Sequence, residues 1–553
     1  MSGFYWERLP YELRLLILEC VADQGPDPER EPRHTTGTLT ANAYLWAPCA
    51  AVSREWQAFF EPRTFASLAL YNDDHRADRL AYVRRLRLTI NLPEYTCEVC
   101  GTEEDAETQK RNDVIFTAVL LQLLHGLAAC TVPVSSSSSS SSSSAAAAEA
   151  RNQDMQLELG VRSVSDGQHA WQEYRIVHPY GTITLNADGA VEVEAKDTKE
   201  TKEGRSSCSR RRRYRMRHNP PVAAIVKTLV VGRRFYRAIH PATLHRLLHD
   251  CLPGVRTVHL EPWRPLQKAN FDTLERGYSR LLATLPPSLR CLNVFLESDR
   301  NLHDPRRDFD GTLFGPNALV HRRASPYLGR RLAEGSNGLA LINVAFLCDA
   351  GDFFAAASSL SAATHAWPRL ATIVLTAAEL APTSSLDVMS LLLRTAAAVA
   401  ARMPQLREVE LWNVCKYDAC SFSLTLAPLA AANSRDTPGE TPEKTQKPEA
   451  HLTLRSTWPL QSLLTHRVVD AWRAVAREWV RRTWPAAGES HLEDCLVVTY
   501  ETIQLPKYPL MVGMDGRMLV LNGGTLAGKY MFWQSRQGME MERFHHWIML
   551  TRR

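Results

Sequence analysis

One phrase recurs from Val222 onward and narrows the folds open to this chain more than any other feature. It is an apolar run at helical spacing, a turn carrying proline, then Leu-x-x-Leu-x-Leu or a close variant. One copy reads Leu247-Leu248-His249-Asp250-Cys251-Leu252-Pro253-Gly254-Val255-Arg256-Thr257-Val258-His259-Leu260. Others run from Leu281 through Pro286 to Phe295, from Trp367 to Thr376 and from Met403 to Asn413, with a weaker one from Leu339 to Phe346. Within each copy the apolar period changes from that of a helix to the alternation of a strand. A lone helix–turn–strand unit cannot bury its apolar face. Units stacked side by side pair their strands into a parallel sheet and lay their helices along its outside.

The expected class is α/β: a small N-terminal helical module followed by an irregular, leucine-rich-repeat-like α/β array with disordered insertions. The period is longer and less regular than the roughly 20 to 29 residues usual for leucine-rich repeats. The array starts in residues 62–134, where Phe65 to Leu70 and Tyr82 to Ile90 alternate as half-buried strands do, and its main body is residues 151–480. Leu386 to Arg402 is long and alanine-rich, as a good helix former should be. The repeated leucines belong to the core, so any recognition surface falls on the residues between them: Arg256, Thr257, His259, Arg407, Glu408 and Glu410. A doubly wound nucleotide enzyme also alternates strands and helices, but no Gly-x-Gly-x-x-Gly or Gly-x-x-x-x-Gly-Lys opens any of these helices.

The chain has 553 residues, 45% of them hydrophobic and 23% charged, which is globular in composition and long enough for an elongated array. A formal charge of +5 is small for that length and does not suggest a polyanion-binding role. Its 12 cysteines follow no spacing framework and no secretory signal precedes them, which points to a reducing interior, cytoplasmic or nuclear. The apolar stretch Phe116 to Val134 is interrupted by Gln122, His125 and Gly126 and reads as a buried helix rather than a membrane span. Residues 135–150, a serine run followed by alanines, form a low-complexity linker. Disordered insertions are expected at about 195–219 and 432–450, and a divergent tail at 481–553, glycine-rich and without the expected strand-and-helix ending from about Val497.

The first sixty residues supply a different signal. Pro10 stands where a helix tolerates a missing N–H, Glu12 follows in the first turn, and Leu9, Leu13, Leu16 and Ile17 make an apolar stripe. A second short helix gathers Val52, Trp56 and Phe59 after Ser53-Arg54-Glu55. Leu9-Pro10-x-Glu12-Leu13…Ile17-Leu18, answered by Val52-Ser53-Arg54-x-Trp56-Gln57, resembles the F-box, the three-helix module by which adaptors dock on a Skp-type subunit of a cullin ubiquitin ligase. A loop inserted between the halves, Gly25 to Thr40, departs from the common spacing. Further matches at Tyr95-x-Cys97-x-x-Cys100, Glu261-Pro262-Trp263-Arg264, Cys348-Asp349-Ala350-x-x-Phe353-Phe354 and Leu411-Trp412-Asn413 are similar to an uncharacterised fungal F-box-like family, to about Glu478. The resemblance implies that residues 3–61 dock through Leu9, Pro10, Leu13, Ile17, Leu18, Val52 and Trp56, and that the array binds a protein substrate. It implies no enzyme activity, cofactor or metal. The alternative is a protein-interaction scaffold without a ligase, its N-terminal helices acting as a cap.

Other chemistry finds little support. Cys97 and Cys100 could supply half of a tetrahedral zinc site, but no second pair follows at usable spacing, so they are read as free thiols. Ser163, Asp166 and His169 cluster in a turn, where side chains bond local backbone; a catalytic triad assembles from separate elements. Arg210 to His218 fits an import signal or a solvated loop, and with only Tyr214 interleaved it is not read as a nucleic-acid platform. Gly528-Lys529-Tyr530 lacks the hydroxyl that a phosphate loop offers magnesium.

Overall fold

The computed structural model describes residues 6–23, 46, 48–71, 82–99, 104–130, 154–167, 190–192, 213–215, 220–232, 235, 237, 239–262, 268–296, 326–362, 365–414, 419–427, 449–484 and 495–502. In chain order the elements are α1 (Tyr11–Asp23), α2 (Arg54–Thr64), β1 (Ser67–Leu70), β2 (Arg85–Leu92), α3 (Ala106–Cys130), β3 (Met155–Ser163), β4 (Ala190–Glu192), β5 (Arg213–Arg215) and β6 (Val226–Val231). Then come α4 (Pro241–Arg246), which runs on into a π-helical turn Leu247–Cys251, β7 (Thr257–Leu260), α5 (Lys268–Ala283), β8 (Cys291–Phe295), α6 (Pro326–Gly335), β9 (Leu341–Ala345) and α7 (Ala350–Ser359). The remainder is β10 (Thr372–Thr376), α8 (Leu386–Ala400), β11 (Glu408–Val414), β12 (Ala419–Ala427), β13 (Glu449–Ser456), α9 (His466–Thr483) and β14 (Leu496–Thr502).

Twelve strands form one sheet in the order β1-β2-β3-β6-β7-β8-β9-β10-β11-β12-β13-β14, so each strand lies beside its neighbour in the sequence, with only the small β4–β5 ribbon set apart. Neighbours run parallel except at β11–β12 and β12–β13, which are antiparallel. One backbone position repeats across the parallel part. Arg256 donates its N–H to Lys227 O at 2.8 Å, Arg290 to Arg256 O at 2.8 Å, Ala340 to Arg290 O at 2.7 Å, Ala371 to Ala340 O at 2.8 Å and Arg407 to Ala371 O at 2.8 Å. Each unit therefore hands its pairing to the next at the residue just before the strand, which is how a recurring sequence phrase becomes a continuous ladder. The fold is mixed α/β with a mostly parallel sheet, as the alternating apolar periods predict.

The repeated leucines fill the interior. Leu252, Val255, Val258 and Leu260 of one copy, Leu289, Leu292 and Val294 of another, Leu370, Ile373 and Leu375 of a third and Leu406, Val409 and Leu411 of a fourth all lie in one apolar cluster. Successive helices α4 to α9 each pack on the next, and α3 packs on β2. Burial of this apolar layer is the main driving force, on the order of 25 cal/mol for each Å² removed from water.

The apolar stretch Phe116 to Val134 is described as far as Cys130, within a helix that begins earlier, at Ala106. That helix is long and apolar enough to cross a membrane by length and composition, yet Phe116, Leu120, Leu123, Leu124 and Leu127 lie in the sheet's core cluster. The sheet also continues into the region separated above as a tail: Leu496–Thr502 pairs parallel with β13 over its whole length, and α9 crosses residue 480. Its sequence, Leu496-Val497-Val498-Thr499-Tyr500-Glu501-Thr502, is rich in β-branched residues and free of glycine, so the glycines that set the tail apart lie beyond the strand. Within 195–219 only Arg213–Arg215 is described, as the strand paired antiparallel with Ala190–Glu192. Residues 135–150, 432–448 and the inserted loop Gly25 to Thr40 lie outside the described residues.

Candidate functional site

The N-terminal helices have a core of their own, in which Leu18, Trp46 and Phe60 are buried and Trp6, Trp56 and Phe59 pack around them. Ser53 starts α2 by accepting the Trp56 N–H at 3.3 Å, which satisfies one of the orphan donors of a helix start. Glu55 joins the two halves: its carboxylate accepts Trp6 Nε1 at 2.8 Å and Arg14 Nη1 at 2.8 Å. Trp56 is half-buried between the rings of Trp6, 5.6 Å away, and Phe60, 5.5 Å away.

The expected docking residues divide on this frame. Leu13 is 49% exposed and Val52 63% exposed, and Tyr11 and Leu16, which the sequence pattern left out of the docking set, are 60% and 57% exposed. Pro10 is exposed, while Leu9 and Ile17 are half-buried. Leu18, at 2% exposure, closes the module's own core and supports the surface from beneath.

On the sheet, residues alternating with the core leucines point to the opposite face. There the register aligns Glu158, Val230, His259, Asn293, Asn343, Val374 and Glu410 in one row across β3 to β11. Of the expected contact positions, Arg256 and Arg407 are exposed at the strand entrances and Thr257 and Glu408 are half-buried, but Glu410 is 1% exposed. Burial pushes His259 down to about 4, so its ring is neutral at ordinary pH. Phe346 stands next along, with a positive φ of 61° that a bulky residue rarely adopts. That backbone turn lays its ring between Phe295 and Trp412, at 5.5 and 5.2 Å, over the small Ala345 and Thr376 of the same row. At β3, Gly160 is required by close approach, since a Cβ there would meet the Phe235 ring at 2.2 Å. His259 itself is half-buried within the row.

Two buried ionisable clusters occupy the other edge, at the carboxyl ends of the strands. Arg237 grips Asp166 through Nε and Nη2, both at 2.8 Å, and donates Nη1 to Glu104 at 2.8 Å. Tyr95 OH and the Ser163 N–H also donate to Asp166, so the acid that lies near Ser163 in sequence serves as a backbone and arginine anchor, as the turn reading expects. His169 lies outside the described residues.

In the second cluster Asp349 caps α7: Oδ1 accepts the Gly351 N–H at 2.8 Å and Oδ2 accepts the Ala378 N–H at 2.8 Å. The Glu379 carboxyl lies nearby, for Glu379 Oε1 and Asp349 Oδ1 both fall within 3.2 Å of where a Cβ on Gly351 would stand. Burial first, then the neighbouring Glu379 charge, pushes Asp349 up to about 7. A Cβ at Gly351 would meet Glu379 Oε1 at 2.3 Å, so glycine is what lets that carboxyl lie over the first turn of α7. Of these partnerships only two leave a local sequence signal: the Ser163–Asp166 turn and the Asp349 cap, a carboxylate placed just before the helical run Ala350 to Ser359.

Among the described residues no group of three or more His, Cys, Asp and Glu is placed to hold a metal ion. Cys97 sits in the single turn Cys97–Val99, and Cys100 lies outside the described residues. Of Arg210 to His218, only Arg213, Tyr214 and Arg215 are described. Residues 284–504 match a family of unknown function, DUF6546, from the end of α5 to the end of β14. No curated protein matches the chain.

Proposed function

We propose that the chain is a substrate-recognition adaptor of a cullin ubiquitin ligase, its N-terminal helices docking on a Skp-type subunit and its array, read as an irregular leucine-rich-repeat-like solenoid, holding a target protein. The observation that carries this reading is the apolar surface of the N-terminal module. A unit with its own buried core still exposes Tyr11, Leu13, Leu16 and Val52, whereas isolated exposed apolar residues need no partner. Leu13 and Leu16 stand three apart on α1 and share a helix face. The chain-order pairing of the strands supports the solenoid half of the reading, because each unit rests mainly on its neighbours. The adaptor performs no chemistry of its own, and its affinity comes from a few apolar anchors in the docking face.

The test is co-expression of the full chain with a Skp-type subunit and a cullin. The wild type is expected to retain both through purification. Leu9→Ala with Pro10→Ala, and separately Leu13→Asp, should lower the recovered Skp-type subunit by about tenfold or more, with the circular dichroism of the sheet unchanged. Failure of the wild type to retain the subunit, or undiminished retention by both variants, refutes the adaptor reading. In the first case, retention of other proteins without a cullin favours the scaffold.

A further inference from the structure

We propose that the strand-entry edge of the sheet, from β6 to β11, is a docking surface for an extended acidic peptide segment. The inference deepens the proposed function and rests on it, since it names the class of target that the array holds. Each of these strands is entered through a turn, and the residue at or just before its start occupies one repeating position of the backbone ladder. That position is Lys227 at the start of β6, Arg256 before β7, Arg290 before β8 and Arg407 before β11, with Ala340 and Ala371 before β9 and β10. The turn into β10 carries its cation two residues earlier, at Arg369. In three copies the arginine closes one phrase of proline, any residue and an apolar residue: Pro253 to Arg256, Pro287 to Arg290 and Pro404 to Arg407.

The cations of this edge outnumber the acids beside them. The residues leading into the six strands, 220–227, 252–256, 284–290, 336–340, 360–371 and 401–407, include no aspartate or glutamate. Asp250 and Glu334, on the helical segments before two of these turns, already pair with Arg246 and with Arg330 and Arg331. Glu408, the first residue of β11, is half-buried and accepts Thr372 Oγ1 at 3.1 Å. Lys227 Nζ and Arg290 Nη1 donate to the turn carbonyls of Ala224 and Pro287, both at 2.8 Å, which fixes the side chains without neutralising them. Among the described residues, the exposed Arg369 and Arg407 have no acidic partner, and Arg256 has Asp154 at 3.7 Å with both side chains exposed. Neighbouring strands lie about 4.8 Å apart, so Lys227, Arg256 and Arg290 stand as like charges on adjacent strands, an unfavourable arrangement until an anion joins them.

Charge and length choose the occupant. From Lys227 on β6 to Arg407 on β11 is five strand spacings, about 24 Å, which about seven extended residues cover. A carboxylate-bearing peptide lying across the strand entrances meets a cation at five of the six strands. Single-stranded nucleic acid fits less well. The one phenylalanine, tyrosine or tryptophan in the six turns is Trp367, which is 0% exposed, so these turns offer no ring for base stacking. The chain's total charge of +5 keeps the attraction local to this edge.

The experiment measures the fluorescence anisotropy of a fluorescein-labelled hepta-glutamate peptide mixed with the purified full chain. No ligase subunit is present, so failure here is distinct from failure of Skp-type docking. Saturable binding is expected at about 50 mM salt and should weaken as salt rises, because exposed charge pairs are screened. Arg256→Gln with Arg369→Gln and Arg407→Gln should lower the affinity about tenfold, and each single variant should show part of that loss. Arg276→Gln with Arg330→Gln and Arg473→Gln removes the same charge from the outer helices α5, α6 and α9 and should keep the affinity within about twofold. Absence of saturable binding by the wild type at about 50 mM salt overturns the proposal, as does an equal loss in the two triple variants. Tighter binding of a fluorescein-labelled heptathymidine oligonucleotide than of the glutamate peptide overturns it in favour of a nucleic-acid surface.

Discussion

At the scale of single residues, the largest commitments are charges taken out of water. Arg237 is 3% exposed, and the residues it holds, Asp166 and Glu104, are each 7% exposed. Two carboxylates against one guanidinium are tolerable here because Tyr95, the Ser163 N–H and Asn112 supply further donors. Removing the cation strands both acids. Arg237→Met is therefore expected to cost about 3–5 kcal/mol, read as a drop in the denaturant midpoint of the full chain. Arg237→Lys should recover only part of that loss, since an ammonium cannot reproduce the bidentate grip on Asp166. No local pattern announces this cluster, because Arg237 lies 71 residues from Asp166 and 133 from Glu104.

At the scale of elements, helix starts are set by local chemistry and helix positions by packing. Ser53, Asp349, Ser385 and Thr465 each accept a backbone N–H of the helix they precede. These caps are legible in the sequence because a short polar side chain just before an apolar period is a local arrangement. The place of α9 is not local. Its buried face carries Val468, Trp472, Val475, Ala476, Trp479 and Val480, and Trp472 lies 5.2 Å from the Phe422 ring of β12. Trp472→Ala is expected to lose about 3–5 kcal/mol by differential scanning calorimetry, as for other large core aromatics.

At the scale of the whole molecule, one apolar cluster runs from Val83 to Cys495, while Leu18, Trp46 and Phe60 make a second and smaller one. Among the described residues these two clusters are separate, as two units of stability would be. A chain starting at Phe65 is expected to keep the sheet's far-ultraviolet signal and its main thermal transition within a few degrees, while losing Skp-type retention in the co-expression assay. Collapse of the sheet on this deletion would mean that the module is a cap of the array instead of a separable docking unit.

The sequence by itself determined the parts that depend on neighbours along the chain. The Leu-x-x-Leu-x-Leu phrase determined which side of each strand enters the core. The proline turns marked where helix gives way to strand, and the stripes of α1 and α2 marked a helical module. These hold because side-chain direction has a short period in a helix and a strand, so burial is written into spacing. Tertiary structure decided the rest. It made Leu18 a core residue while leaving Leu16 exposed, drew Leu496–Thr502 into the sheet as its last strand, and buried Glu410 on the sheet face while leaving His259 half-buried. It also set Asp349 against Glu379. Each of these depends on what a distant segment places across from a residue, and pairing between segments leaves no period in the sequence.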